Sequence, residues 1–451
     1  MPARSTRPER RARPRERRDP MGVGLAALYR LAGAPVIDRL GLRKPVERAV
    51  YQASRAGFRT VGAANRVFTA VQQRRSAERP AAAKERTQFD LNPTDEQKMI
   101  VEATREFAAE QLRPQAAAAD TECMAPEALL KRSVAELGIT QVGVPETLGG
   151  MGGERSATTG VLVAEALAHG DMGLAVACLA PAAVSNALAL WGNAEQQATY
   201  LPAFVGDDVP AAALAVVEPQ VLFDPFALRT VARRSGGGFV LDGVKSLVPR
   251  AEAAELFVIA AELDGTPALF LVESGTDGIT VESDPAMGLR AASMARVELA
   301  NVTLGAGALL GGTDGSDYAE CIRLSRLGWS ALALGTARAV LDYVIPYVNE
   351  RQAFGEPISH RQAVAFTVAN IGIELEGARL VTLRAAARAE QGKSFAREAA
   401  LARRLTTEYG VRIGSDGVQL LGGHGYVKEH PVERWYRDLR AVGVMEGAVL
   451  V

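Results

Sequence analysis

Gly238-Phe239-Val240-Leu241-Asp242-Gly243 is a short apolar run closed by a turn pair, and it does not stand alone. Val216-Val217 precedes it. Leu256–Ala260, Ala268–Val272, Ile279–Val281 and Ala295–Leu299 follow it at short intervals, with Gly- or Asp-containing turns between. Each run is too short for a helix and rich in β-favouring residues. Asp242-Gly243 is itself read as a hairpin turn. Residues 207–316 are therefore expected to form an antiparallel β-barrel or sandwich.

On both sides of this block the period changes to that of helices. Within 86–206, Thr94 or Asp95 caps a helix expected to run to about Leu112 and stop near Pro114. Further helices are expected over Pro126–Leu137, Ala157–His169, Gly173–Trp191 and Ala194–Phe204, with a Gly- and Pro-rich loop from Gly138 to Gly152. Within 317–451, three long helices are expected at Ile322–Val348, Phe366–Gln391 and Ala396–Val418, packed as an antiparallel bundle. Helices, then strands, then helices is an α+β plan with segregated elements.

Residues 1–85 differ again. The first 20 are rich in Arg and Pro and cannot pack a core; 22–77 have the spacing of two or three amphipathic helices. Residues 1–80 carry 19 Lys plus Arg against 6 acids, whereas the whole chain has a net charge of −1. A basic arm on an acidic body implies either a surface-binding extension, with peripheral contact to an anionic membrane as one form of it, or a tail that folds back. No nucleic-acid partner is expected. No apolar run is read as reaching the roughly 20 residues that span a bilayer. Cys123, Cys178 and Cys321 are far apart, which speaks against a disulfide framework and for a reducing, cytoplasmic setting. The four histidines have no metal-ligand spacing with them, so no metal site is expected.

One carboxylate near the end has an unusual setting. Glu446 lies between Met445 and Gly447, just after Val442, Gly443 and Val444. Burial among apolar neighbours raises a Glu pKa toward neutrality, where a general base works best. Gly447 permits a sharp turn or the close approach of a ligand.

Five stretches accompany it: Val144-Pro145-Glu146 with Gly149-Gly150; Met287-Gly288-Leu289-Arg290 with Ser293; Glu350-Arg351 through Phe354-Gly355 to Gln362; Gln419-Leu420-Leu421-Gly422-Gly423-His424-Gly425; and Arg437-Asp438 before Met445-Glu446-Gly447. In this order and spacing, over about residues 89–447, they resemble the acyl-CoA dehydrogenase family. The resemblance implies FAD as cofactor, an acyl-CoA thioester as substrate and an electron-transfer flavoprotein as electron acceptor. It implies that Glu446 is the base that takes the α-proton while the β-hydride passes to flavin N5. Some branches carry the base just before the Arg matched here by Arg326; that position is Ser325, so Glu446 is the only candidate. Arg326, Ser325 and Gly447 are carried over to the substrate side. Arg351, with Phe354 and Gln362 beside it, is expected to reach the FAD of a neighbouring subunit, and Gln419 with the Gly422-Gly423 turn its adenosine and diphosphate end. A homodimer or homotetramer follows from that.

The flavin-ring side departs from the family's pattern. Where a Thr-Glu-Pro segment is typical, this chain has Val217-Glu218-Pro219, and Leu222-Phe223 replace Gly-Ser. Where Lys-x-Trp-Ile-Thr is typical, it has Lys245-Ser246-Leu247-Val248-Pro249. Val217, Leu247 and Pro249 thus stand at cofactor positions without the usual hydroxyls or aromatic cover. Two expectations result: an active dehydrogenase with an atypical flavin pocket, or a catalytically weak or inactive subunit that pairs with an active homologue as a hetero-oligomer.

Overall fold

The computed structural model describes residues 93–151, 156–206 and 208–449. The basic extension at 1–85 and Gly152 lie outside the described residues.

The first helices are α1 Asp95–Phe107, α2 Arg113–Glu122 and α3 Glu127–Leu137. Thr94 caps α1 in a reciprocal capping box with Gln97, as its sequence asked. The helix does not stop at Pro114. A π-type turn at Ala108–Leu112 widens the backbone, and the chain runs on through Pro114 as the second residue of α2. Proline lacks the amide a continuing α-helix needs, and a wider turn or a first-turn position tolerates that. Next come α4 Ala157–Gly170, α5 Met172–Trp191 and α6 Ala194–Tyr200, close to the expected bounds.

The strands are β1 Ala212–Ala215, β2 Val231–Ser235, β3 Gly238–Pro249, β4 Leu256–Leu263, β5 Thr266–Glu273, β6 Ile279–Ser283, β7 Met294–Leu304 and β8 Leu309–Leu310. They form one sheet in the order β6-β7-β3-β2-β4-β5-β8, with β1 paired to β4. Pairing is largely antiparallel, but β4 runs parallel to both β1 and β2. Asp242-Gly243 is not a hairpin turn, contrary to its reading in sequence. It lies inside β3, at an irregularity where β7 carries the extra residue Asn301, whose amide Asp242 accepts at 2.8 Å. The turn falls at Gly236-Gly237, both at positive φ, which the two-residue hairpin requires. Both faces of the sheet are covered. On β4, Leu256, Val258 and Ala260 join the helical core, while Phe257, Ile259 and Ala261 fill a second core. This alternation is why the run reads as continuously apolar.

The last helices are α7 Ser316–Glu350, α8 Gln362–Glu390, α9 Ala396–Leu421 and α10 Val432–Leu439. A two-strand turn, β9 Gln352–Ala353 with β10 Glu356–Pro357, separates α7 from α8. By length and composition α5, and a stretch of α7, could cross a membrane, which the sequence reading had not counted. They are 72% and 67% buried inside the fold, as core helices are.

Helix α10 ties the regions together through buried charge. Arg437 pairs with Asp120 of α2 at 2.8 Å and with Glu433 at 2.8 Å. Arg434 pairs with Asp171, the cap of α5, at 2.9 Å. Asp438 accepts the amide of Leu289 at 2.7 Å. A Cβ on Gly288 would lie 2.4 Å from the Arg437 carbonyl, so the Met287–Arg290 motif fits flush against α10. Burial first, and the nearby Asp171 second, push the Asp438 carboxyl up to about 8. Because its folded pKa lies above its unfolded one, stability falls as pH rises from the unfolded pKa to the folded one. Asp438→Asn is therefore expected to flatten the decline in melting temperature between about pH 4 and 8, and an unchanged slope would refute the assignment.

Candidate active site

Glu446 sits on a turn that the rest of the chain holds rigidly. It is 5% exposed and has φ +51°, which is uncommon for a residue with a side chain. Arg326 of α7 donates from Nε and Nη2 to the Glu446 carbonyl at 3.1 and 2.8 Å. Arg403 of α9, itself buried, donates from Nη2 to the carbonyl of Met445 at 2.5 Å and also to that of Gly447. Gly447 follows at φ +101°, where a Cβ would lie 2.5 Å from Pro225. Three consecutive carbonyls are thus fixed by two guanidinium groups, which offsets the strain of the left-handed Glu.

The side chain so presented borders a cavity of about 330 Å³. Its Oε2 is buried and has no hydrogen-bond partner. Burial raises the pKa of the carboxyl. Arg403, the Ser325 hydroxyl, Arg326 and the Trp329 indole pull it partly back, in that order. Cys321 is also on the wall; burial pushes its thiol up to about 12, so it is neutral and offers no thiolate.

The walls come from every region. Helices α4 and α5 contribute Val163, Ala164, Val176 and Ala180, and α1 adds Ile100 and Thr104. The sheet contributes an edge made of Val216-Val217 and Ser246–Pro249. So Glu446, Ser325, Val217, Leu247 and Pro249, all singled out through the resemblance, border one cavity. Arg326 and Gly447 do not line it. Arg326, expected on the substrate, directs its donors at the main chain of Glu446 instead. Sequence reasoning missed Arg403, which looks like any Arg of an Ala-rich helix, and Ser246, the hydroxyl-bearing residue on the sheet wall.

The remaining expected residues lie elsewhere. Arg351 and Gln362 flank the β9–β10 turn and are exposed, and Phe354 at its tip is 96% exposed beneath the guanidinium of Arg361. Arg351 makes no ion pair among the described residues; Glu356 pairs with Arg361 and His360. Gln419, Gly422 and Gly423 end α9, also exposed. The two groups share one end of the helical region: Tyr347, whose carbonyl accepts the Arg351 amide, meets His424 at 2.8 Å. A Cβ on Gly423 would meet nothing within 4 Å, so the chain's own packing does not ask for glycine there.

Comparison with known proteins gives this arrangement its setting. Models of the acyl-CoA dehydrogenase N-terminal, middle and C-terminal domains match residues 94–208, 213–302 and 315–449. The short/branched chain specific acyl-CoA dehydrogenase of Rattus norvegicus mitochondria is 34% identical over 363 residues, covering 78% of this chain and 83% of that one. The chain belongs to the acyl-CoA dehydrogenase family. Among solved structures, the butyryl-CoA dehydrogenase of Megasphaera elsdenii aligns with a TM-score of 0.74 at 26% identity, over 80% of this chain and 97% of that one. A glutaryl-CoA dehydrogenase from Mycobacterium smegmatis, solved with FADH2, aligns with a TM-score of 0.73 at 25% identity, over 79% and 92%. The acyl-CoA dehydrogenase plan of helical, sheet and helical domains is the plan described above.

Proposed function

We propose that this acyl-CoA dehydrogenase family member is an active FAD-dependent enzyme that desaturates an acyl-CoA thioester between its α and β carbons, with Glu446 as base. One observation carries the reading: a buried carboxylate with a raised pKa and an unpartnered oxygen, rigidly held, borders an apolar cavity. A carboxylate with no donor on one oxygen is free to accept a proton. Two fixed guanidinium groups nearby favour its ionised form before reaction.

The residues present fit FAD. The flat ring suits the apolar wall of Val217, Leu247 and Pro249 beside Ser246. The exposed glycine at 423, which packing does not demand, suits close approach of a diphosphate, and Arg351 offers a planar fork for it. Bound FAD supplies the acceptor for the β-hydride. The chain's own part is to exclude water with the cavity walls, orient the thioester and take the α-proton at Glu446 Oε2. An electron-transfer flavoprotein would then reoxidise the cofactor.

Arg351, Phe354, Gln362 and Gln419 stand exposed and away from the cavity, which supports their service to FAD across a subunit interface. Phe366, Ile373 and Leu380 form an exposed apolar row at seven-residue spacing on α8, a surface a second copy would cover. Replacing Phe366 and Ile373 by Asp is expected to yield monomers in light scattering where the native chain is at least dimeric. A native monomer would remove this part of the reading.

The direct test is the visible spectrum of the purified full chain, taken anaerobically before and after saturated acyl-CoAs of different length. A flavin band that bleaches supports the dehydrogenase. A colourless protein that FAD does not reconstitute would point to the second expectation, a subunit completed by an active homologue, and the missing hydroxyls at 217 and 249 would then account for it.

A further inference from the structure

Behind the sheet wall of the cavity lies an ion pair that the chemistry above does not use. Lys245 has no exposed side-chain surface and Glu218 is 2% exposed; Nζ donates to Oε1 at 2.7 Å. Lys245 also donates to the Val216 carbonyl at 3.3 Å. Glu218 accepts the amides of Arg229 and Thr230 at 2.7 and 2.9 Å. Next door, the Ser246 amide donates to the Val217 carbonyl at 2.9 Å. Segments 216–218 and 245–246 are thus stitched side by side.

Just past Lys245 the strand β3 bulges. Lys245 pairs with Val297 and Val248 with Ala295, so Ser246 and Leu247 stand opposite the single residue Arg296. Leu247 takes φ +52°, strained for a Leu, and its amide donates to Asp284 at 3.3 Å. Bulges re-aim side chains and backbone at sites. This one moves Ser246 and Leu247 onto the cavity wall.

A buried ion pair rarely adds net stability over apolar residues of the same size, because both charges lose their water. A role in fixing geometry accounts better for one lying directly behind a binding wall. The wall has no hydroxyl at 217 or 249, so polar contacts to a bound ring fall to main-chain groups of this edge and to Ser246. Such contacts work only if the edge is held in place.

We infer that Lys245 and Glu218 are a positioning pair that holds the bulged edge Val216-Val217/Ser246–Pro249 in register for the ring of FAD. The inference rests on the flavin reading above. Burial draws the Lys245 ammonium down to about 8. Burial also works against the Glu218 carboxylate, but Lys245 and the amides overcome it and keep its pKa below the ordinary range. The Tyr318 hydroxyl of α7, raised well above its ordinary value by burial, also lies within the influence of Glu218. Lys245 is therefore the group whose proton loss breaks the pair in mildly alkaline solution.

The test is reconstitution of the full-length apoprotein with FAD, followed by quenching of flavin fluorescence, with the apoprotein melting temperature recorded alongside. For Lys245→Met with Glu218→Gln, the dissociation constant is expected to rise about tenfold or more while the melting temperature changes little. The native constant is expected to weaken above about pH 8 and that of the double variant to stay flat. Glu218→Asp, which keeps the charge and shortens its reach, covers the case in which the double variant does not fold; it too is expected to bind FAD more weakly. Native affinity and native pH dependence in these variants would overturn the inference and leave the flavin reading intact. A native chain that binds no FAD would overturn both.

Discussion

Glu446→Gln is expected to bind FAD and acyl-CoA much as the native chain does, yet to reduce the flavin about 10²–10⁴-fold more slowly, the contribution of a positioned general base. Glutamine fills the same space at the same strained position, so the clamp of Arg326 and Arg403 on residues 445–447 has no reason to release. What it lacks is an oxygen that can accept a proton at neutral pH. Stopped-flow bleaching of the flavin band, set against a separate measure of acyl-CoA binding, separates the two effects. Reduction within a fewfold of native would mean that another group takes the proton, and the cavity wall offers no other carboxylate among the described residues.

Arg403→Met is expected to lower stability by about 2–4 kcal/mol. A hydrogen bond from a charged group contributes roughly 1.5–3 kcal/mol, and relief from burying the cation offsets part of the two that are lost. Burial already holds the Arg403 guanidinium down to about 10, a sign of how dry its surroundings are. The second consequence is in the pH profile. Arg403 is the foremost of the groups that oppose the upward shift of Glu446. Without it the carboxyl binds its proton more tightly and must reach a higher pH to ionise. The acid limb of kcat/KM should accordingly move to higher pH, alongside the loss in stability. A limb that stays in place would show that Arg403 holds only the backbone.

Much of this was legible in the residues. The change of pattern near 207 and again near 317 marks the sheet and its flanking helices, because short apolar runs between turns suit strands buried on both faces, whereas helices bury every third or fourth residue. The setting of Glu446 between apolar residues and a glycine allowed burial but, read alone, fitted a solvated surface residue better; the fold buries it. The misplaced elements share a cause: local signals were overridden by partners far along the chain. Asp242-Gly243 has the composition of a turn, yet Asp242 is taken up by Arg233 and the Asn301 amide across two strands. Pro114 has the look of a helix end, yet a π-turn that ends two residues earlier makes room for it. Arg403 gives no sign at all, since what makes it matter is two carbonyls more than forty positions away. Val217, Leu247 and Pro249 were found through the resemblance; the bulge that brings Leu247 to the wall could not be read from one strand alone.

Helix α10 lies seven residues before Glu446, and its anchors are drawn from much earlier in the chain: Asp120, Asp171 and Leu289. The turn at 445–447 is likewise fastened by Arg326 and Arg403, both made before it. The Glu446 carboxyl, proposed above as the base, is therefore aimed by residues far away in the chain, and nothing short of the assembled helical and sheet regions can direct it. A chain whose helical and sheet regions have not yet packed accordingly holds no directed carboxyl at this position.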